Sequence, residues 1–222
     1  MIERFFAKGA TFTWTPPAPV AGSTDGAIVQ SGNATPPALT FTGWDHEIPY
    51  SPQAPTLGLM KNTLVPYHWL DYVHFRTAYV EPAANVDVLT GFMSGCWICK
   101  WNEPGAVLQK RVGHVGTVET VKKDQVPNTT VKTAFLNSVG ANGLGLIGYN
   151  PAGPWGLQEI LAVMNKSKNS SQLDSRILSL VTANDDFFSI LMILRRDKNV
   201  WVCGGRKKVD PSDRAAITAA LR

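Results

Sequence analysis

The order of hydrophobic and polar positions divides this chain of 222 residues into an irregular first quarter and a β-rich remainder. From about Leu64 onward, short apolar runs recur between turn signals. Residues 73–80 are rich in β-branched and aromatic side chains and stop at Glu81-Pro82, which predicts a strand. Residues 86–93, 96–101, 106–109 and 111–118 predict further strands, interrupted by Ser94-Gly95 and by Asn102-Glu103-Pro104-Gly105. Residues 175–182, 187–194 and 200–203 predict three more, the last two joined by the turn-like Arg196-Asp197-Lys198-Asn199. Residues 188–194 are almost continuously apolar, the pattern of a central strand buried on both faces. Helical spacing enters at three places. Asn128-Thr129-Thr130 reads as the cap of a helix through Val131, Ala134, Phe135 and Val139, with Gly140 as its stop. Leu157, Ile160, Leu161 and Met164 mark a helix between Trp155 and Asn165, and Ser212 and Asp213 cap a last one ending at Leu221. The fold class expected is α+β: a β-sandwich-like core of mixed strands, or a strongly bent sheet, with flanking helices and long loops.

The first quarter follows another rule. Pro16, Pro17, Pro19, Pro36, Pro37, Pro49, Pro52 and Pro55 fall between Thr15 and Pro55 and exclude long helices there. Residues 39–44 alternate enough to form a strand. Trp14, Phe41 and Trp44 favour an extended chain packed on or over the core rather than a loose arm, because large apolar groups tend to be buried. Residues 1–222 are therefore expected to form a single domain, with 1–63 as its proline-rich extended segment.

Composition narrows the function classes. Seven Trp, nine Phe and five Tyr supply core material, and a chain of this length needs no disulfide or metal to fold. No apolar run reaches the length of a membrane span, and the start lacks the pattern of a secretory signal. Net charge is +4, but the basic residues are scattered, which argues against nucleic acid as a partner. Three cysteines, an odd number, read as reduced thiols rather than a disulfide framework.

Among residues able to carry chemistry, His68 and His74 have only Asp71 between them as a further ligand, too few for a metal site. His46, in the proline-rich part, reads as a surface residue. Cys96 and Cys99 have the spacing of a redox or zinc pair, but in an extended segment they face opposite ways. No metal or other cofactor is expected. Met93-Ser94-Gly95-Cys96 is more informative: a strand ends, a small dipeptide turns the chain, and a thiol follows. Gly95 allows close approach of a ligand, and backbone N–H groups at Gly95 and Cys96 could hold an oxyanion. A nucleophilic cysteine needs a base. His114 lies about one strand and one turn later, so two antiparallel strands could bring the pair together, and Thr90 is placed to orient the imidazole. The same residue types also describe an ordinary buried cysteine.

The segment Thr90-Gly91-Phe92-Met93-Ser94-Gly95-Cys96, followed by His114-Val115, resembles the active-site pattern of the bacterial glutamine deamidase toxins, the group of the cytotoxic necrotizing factor catalytic domain and the Burkholderia lethal factor. That group carries Leu-Ser-Gly-Cys and a later His; Met93 stands here in place of the Leu. The chemoreceptor glutamine deamidase of chemotaxis is similar, with Thr, Cys and a His followed by Val. The resemblance spans Thr90 to Val115 and implies that Cys96 is the nucleophile, His114 the general base and Thr90 its orienting partner. It implies hydrolysis of a glutamine side chain on a protein substrate, such as a small GTPase or translation factor, through a thioester. An amine in place of water would make the reaction a transglutamination. It also implies a monomeric bacterial effector or toxin, made in the bacterial cytoplasm and acting in the cytosol of a target cell without membrane partners. Two rival readings stay open: another cysteine hydrolase, such as a peptidase, and a binding module whose surface includes Trp14, Trp44 and Trp69.

Overall fold

Antiparallel pairing organises most of the chain. The computed structural model describes residues 2–32, 36–45, 47–48, 61–93, 95–165 and 173–222; His46, Ser94, Pro49, Pro52 and Pro55, singled out above, lie outside the described residues. In chain order the strands are β1 (Ala10–Thr13), β2 (Ile28–Gln30), β3 (Leu39–Trp44), β4 (Thr63–Val65), β5 (His68–Leu70), β6 (Thr77–Val80), β7 (Val88–Gly91), β8 (Trp97–Glu103), β9 (Gln109–Val115), β10 (Leu144–Tyr149), β11 (Leu173–Val181), β12 (Phe187–Arg195), β13 (Val200–Val209) and β14 (Ser212–Asp213). The helices are α1 (Val126–Phe135), continued by a π-turn at Leu136–Gly140, α2 (Leu157–Met164) and α3 (Arg214–Leu221).

Two mixed sheets result. The larger runs β4-β3-β1-β13-β12-β11-β7-β5 and the smaller β14-β10-β8-β9-β6-β2. Only β2 on β6 and β5 on β7 pair in parallel within these sheets. The sheets face each other through Val88, Val181 and Phe187 on one side and Val80, Ile98, Val112 and Tyr149 on the other. The outer face of the smaller sheet is covered by α1 and α3, where Trp101, Val131, Phe135, Ile217 and Leu221 meet. The outer face of the larger sheet curls over a second core of Phe12, Phe41, Leu89, Leu178 and Ile190. Trp14, just past β1, touches Trp69 on the opposite edge strand at 5.7 Å, which shows how far the sheet bends. The α+β, sandwich-like class expected from the sequence is the class observed.

Local patterns were accurate where burial enforces them. Strand β12 is buried along almost its whole length because it lies between β11 and β13 with cores on both faces. The Asp213 side chain accepts the Ala216 backbone N–H and caps α3. Several elements differ from expectation, among them β13, which runs to Val209 rather than stopping at Cys203, and β10, which was not expected. Strand β6 begins only at Thr77, because Phe75 takes a left-handed backbone conformation (φ 56°) and breaks the apolar run. Residues 106–108 are not strand, and in place of the strands expected at 106–109 and 111–118 there is the single β9, which ends at Val115. Helix α1 starts at Val126 with Pro127 in its first turn, before the expected cap. Asn128 sits inside the helix, where its side chain accepts the Val118 N–H and donates to the carbonyls of Val118 and Val121. Gly140 does not stop the helix, which runs on to residue 142. No helix among the described residues is long and apolar enough to cross a membrane.

Candidate active site

The β8–β9 hairpin positions the thiol and the imidazole. Ile98 pairs with His114 and Trp97 with Val115, so Cys96 lies one step beyond the last pair, opposite Gly116. Partners opposite one another in an antiparallel pair share a face, and residues two apart along a strand share it too. Cys96, Ile98 and His114 therefore point the same way, inward, and Cys96 and His114 are diagonal neighbours. Cys99 points the other way: Cys96 packs in the core between the sheets and Cys99 in the core beneath α1 and α3. The Cys-x-x-Cys spacing thus forms no dithiol pair.

Thr90 comes from the other sheet. It lies on β7, and its hydroxyl is 2.9 Å from His114 Nδ1 across the interface between the sheets. Beside it in the larger sheet, Ser179 pairs with Thr90 and hydrogen-bonds Tyr149 at 2.6 Å. Thr90, His114 and Ser179 are all fully buried, so this polar layer is enclosed in a dry interior. Tyr72 stacks on the His114 ring at 5.0 Å, and His74 stacks on Tyr72 at 4.9 Å. Held by Thr90 at one nitrogen and by Tyr72 along its face, the imidazole has little freedom. Its other nitrogen, Nε2, is buried and has no hydrogen-bond partner among the described residues. A neutral imidazole donating from Nδ1 to Thr90 leaves Nε2 as a free acceptor.

Cys96 is not bonded to that acceptor. Its thiol donates to the Thr117 carbonyl at 3.5 Å and accepts from the Thr117 hydroxyl at 3.7 Å. The same Thr117 carbonyl accepts the Tyr72 hydroxyl. Burial raises the Cys96 thiol above the ordinary cysteine value, and contacts with Thr117 and the Gly95 backbone oppose that shift. Burial lowers His114 to about 3. The arrangement is therefore a neutral thiol beside a neutral imidazole, sealed by Thr117, rather than a thiolate–imidazolium pair.

Two cavities flank the turn before Cys96. Gly95 and Thr117, with Glu119, Lys122, Lys123, Asn128 and Lys132, line one of about 240 Å³. Phe92 and Met93, with Trp155, Leu157, Ile160 and Arg176, line a larger one of about 570 Å³, and Glu119 borders both. Gly95 is exposed at the mouth of the first cavity, which is where a backbone oxyanion donor would have to act.

The remaining sequence candidates fall elsewhere. His68 lies on β5, where burial lowers its pKa, and His74 caps the Tyr72 stack. No group of three or more potential metal ligands occurs among the described residues. Trp14 and Trp69 are core, each 6 % exposed, and Trp44 packs partly buried against the same cluster. Tyr72 and Thr117 were not foreseen. The available signals were weak: a tyrosine between two histidines, and a hydroxyl three residues after His114. No protein-family model matches the sequence, and neither a curated protein nor a solved structure matches the chain.

Proposed function

We propose that this protein is a cysteine-dependent protein-glutamine amidohydrolase, with Cys96 as nucleophile, His114 as general base and Thr90 as the group that orients it. The observation that carries this reading is the Thr90–His114 contact at 2.9 Å, which holds an imidazole with an unpartnered Nε2 on a residue diagonal to Cys96 in the hairpin. The reading requires the thiol to leave the Thr117 carbonyl and meet Nε2. The S–H proton passes to Nε2 as sulfur bonds to the carboxamide carbon of a glutamine side chain. The imidazolium returns that proton to the departing nitrogen, and ammonia leaves a thioester. Water then attacks the thioester, giving a proton to His114; the C–S bond breaks, glutamate is released, and the imidazolium returns the proton to sulfur. The Gly95 and Cys96 backbone N–H groups are the proposed oxyanion donors. Residues 90–115 also resemble the bacterial glutamine deamidase toxins, which points to an exported effector acting on a protein in a target-cell cytosol.

One observation favours a different reading, a binding module without catalysis: the thiol is 2 % exposed and hydrogen-bonded to Thr117 rather than to His114. A single experiment separates the two. Wild-type protein, Cys96→Ser and His114→Ala are incubated with bacterial and eukaryotic lysates, and Gln-to-Glu conversion is sought by mass spectrometry. Conversion of a defined glutamine by the wild type alone, with all three proteins folded, supports the deamidase. Conversion that persists in the Cys96→Ser protein excludes Cys96 as nucleophile. Absence of conversion, with Cys96 inert to a thiol-reactive probe, supports the binding module.

A further inference from the structure

The loop between β9 and α1 gathers cations beside the proposed nucleophile. Lys122 and Lys123 in this loop and Lys132 on α1 line the cavity that Gly95 and Thr117 also line. Polar atoms of Gly95 and Thr117 touch the Cys96 sulfur, so an occupant of this cavity meets two residues that cover the thiol. Against three lysines the lining contains a single carboxylate, Glu119.

These lysines differ from others in the chain. Lys100 and Lys110 both pair with Asp185, Lys207 pairs with Glu159, Lys208 with Asp186, and Lys198 with Asp45 and Glu47. Lys122, Lys123 and Lys132 form no ion pair among the described residues. The Lys132 ammonium instead donates to the Lys123 carbonyl at 3.2 Å. Burial and the charge of Lys123 lower the Lys132 pKa, against a smaller opposing pull from Asp124. A partly desolvated ammonium held near a like charge gains from any anion brought beside it. The loop carrying these cations is fixed rather than loose, because Asn128 binds the backbone at Val118, Val121 and Lys122.

We propose that this cavity is a specificity subsite for acidic side chains, so that the enzyme selects a glutamine flanked in its target by aspartate or glutamate. The proposal rests on the reading of Cys96 as the nucleophile of a protein-glutamine deamidase. The lysines hold the flanking carboxylates, and the glutamine between them extends past Gly95 and Thr117 to the thiol. Charge complementarity of this kind selects against targets with lysine or arginine beside the glutamine, since like charges then face one another.

Two short fluorescein-labelled peptides test it, each with one central glutamine, flanked in one by aspartate and glutamate and in the other by serine; a third, lysine-flanked peptide tests the charge-reversed protein. Binding to the Cys96→Ala protein is followed by fluorescence anisotropy, so that no turnover intervenes. The acidic peptide is expected to bind roughly tenfold more tightly at low salt, with the preference fading as salt screens the charges. The preference is expected to vanish in a Lys122→Ser, Lys123→Ser, Lys132→Gln protein. A Lys122→Glu, Lys123→Glu protein, which leaves the half-buried Lys132 intact, is expected to prefer a lysine-flanked peptide. Equal binding of the acidic and neutral peptides, or a preference that survives both sets of substitutions, overturns the subsite. Glutamate formation by the wild-type protein is measured on the same peptides. Equal conversion of both overturns the subsite and leaves the deamidase standing, whereas acidic preference in binding with no conversion overturns the deamidase reading and leaves a site for acidic segments.

Discussion

Burial pushes the His114 pKa down to about 3, because a buried imidazolium would lose its water. In the unfolded chain the same group titrates at about 6.5. Between those values the unfolded state binds the extra proton, so stability falls as pH drops from about 6.5 toward 3, by at most about 1.4 kcal/mol per pH unit. Urea midpoints measured across this range should fall more steeply for the wild type than for His114→Gln; parallel curves would show that His114 is not the group responsible. Thr90 acts on the same ring. Thr90→Ala leaves Nδ1 buried without a partner and is expected to cost about 1–3 kcal/mol in chemical denaturation. It should also slow glutamine conversion at least about tenfold, less severely than loss of Cys96 or His114, while Thr90→Ser restores most of the rate. The three residues proposed as a triad were legible as candidates in the sequence, since Thr90, Cys96 and His114 stand at spacings that a hairpin and a preceding strand can bring together. Thr117 was not legible, because its contact with the thiol depends on how the chain turns after β9.

Elements place these residues through close backbone packing. Gly116 lies opposite Cys96 and just past β9, where a side-chain carbon would fall 2.1 Å from the Val73 carbonyl and 2.7 Å from the Arg76 carbonyl. Gly116→Ala must therefore push away the 73–76 segment, which carries the end of the His74–Tyr72–His114 stack. The expected cost is about 1–3 kcal/mol, read by urea denaturation, with a changed near-ultraviolet circular dichroism from displaced Tyr72. An unchanged midpoint would mean that the segment yields freely. This segment is also where strand patterning misled. Residues 73–80 have the composition of one strand, yet Val73 makes only an isolated bridge to Val20 and Phe75 turns the chain. A tertiary turn outweighed local β preference there, as packing often does. In α1, Pro127 set the helix start, and Asn128 was drawn to the 118–122 loop rather than to the helix end.

Across the whole molecule, the N-terminal quarter, where it is described, is built into both sheets, β1 and β3 into the larger and β2 into the smaller. Strand β1 pairs with both β3 and β13, which ties the first residues to nearly the last. Arg195 at the end of β12 reinforces that link: its buried guanidinium meets Asp45 at 3.1 Å, Glu47 at 2.9 Å and Asp197 at 2.8 Å. Asp45 is as deeply buried as Arg195, so removing the guanidinium leaves an interior carboxylate whose remaining ion-pair partner among the described residues is the exposed Lys198, at 3.9 Å. Arg195→Met is expected to lower stability by about 3–5 kcal/mol and to expose residues near Asp45 to limited proteolysis. A midpoint close to wild type would show that the carboxylates find water instead. Glutamine conversion by the folded fraction should be little changed, since this cluster lies apart from the β8–β9 hairpin.

By itself, the sequence determined the features that depend on short-range order. Alternation and turn residues marked β3, β8, β11 and β12, continuous apolarity marked β12 as central, and Asp213 marked the start of α3. The hairpin that carries Cys96 and His114 was likewise accessible, because its two strands are neighbours in the chain and their pairing sets which side chains share a face. Tertiary structure alone decided that Thr90 meets His114 across two sheets, that Tyr72 stacks on the imidazole, that Thr117 seals the thiol and that β1 closes onto β13. Each of these contacts joins elements that are not neighbours in one hairpin or helix, or follows an irregular turn. Periodicity reports which face of an element is apolar, but it carries no information about which distant element will cover that face.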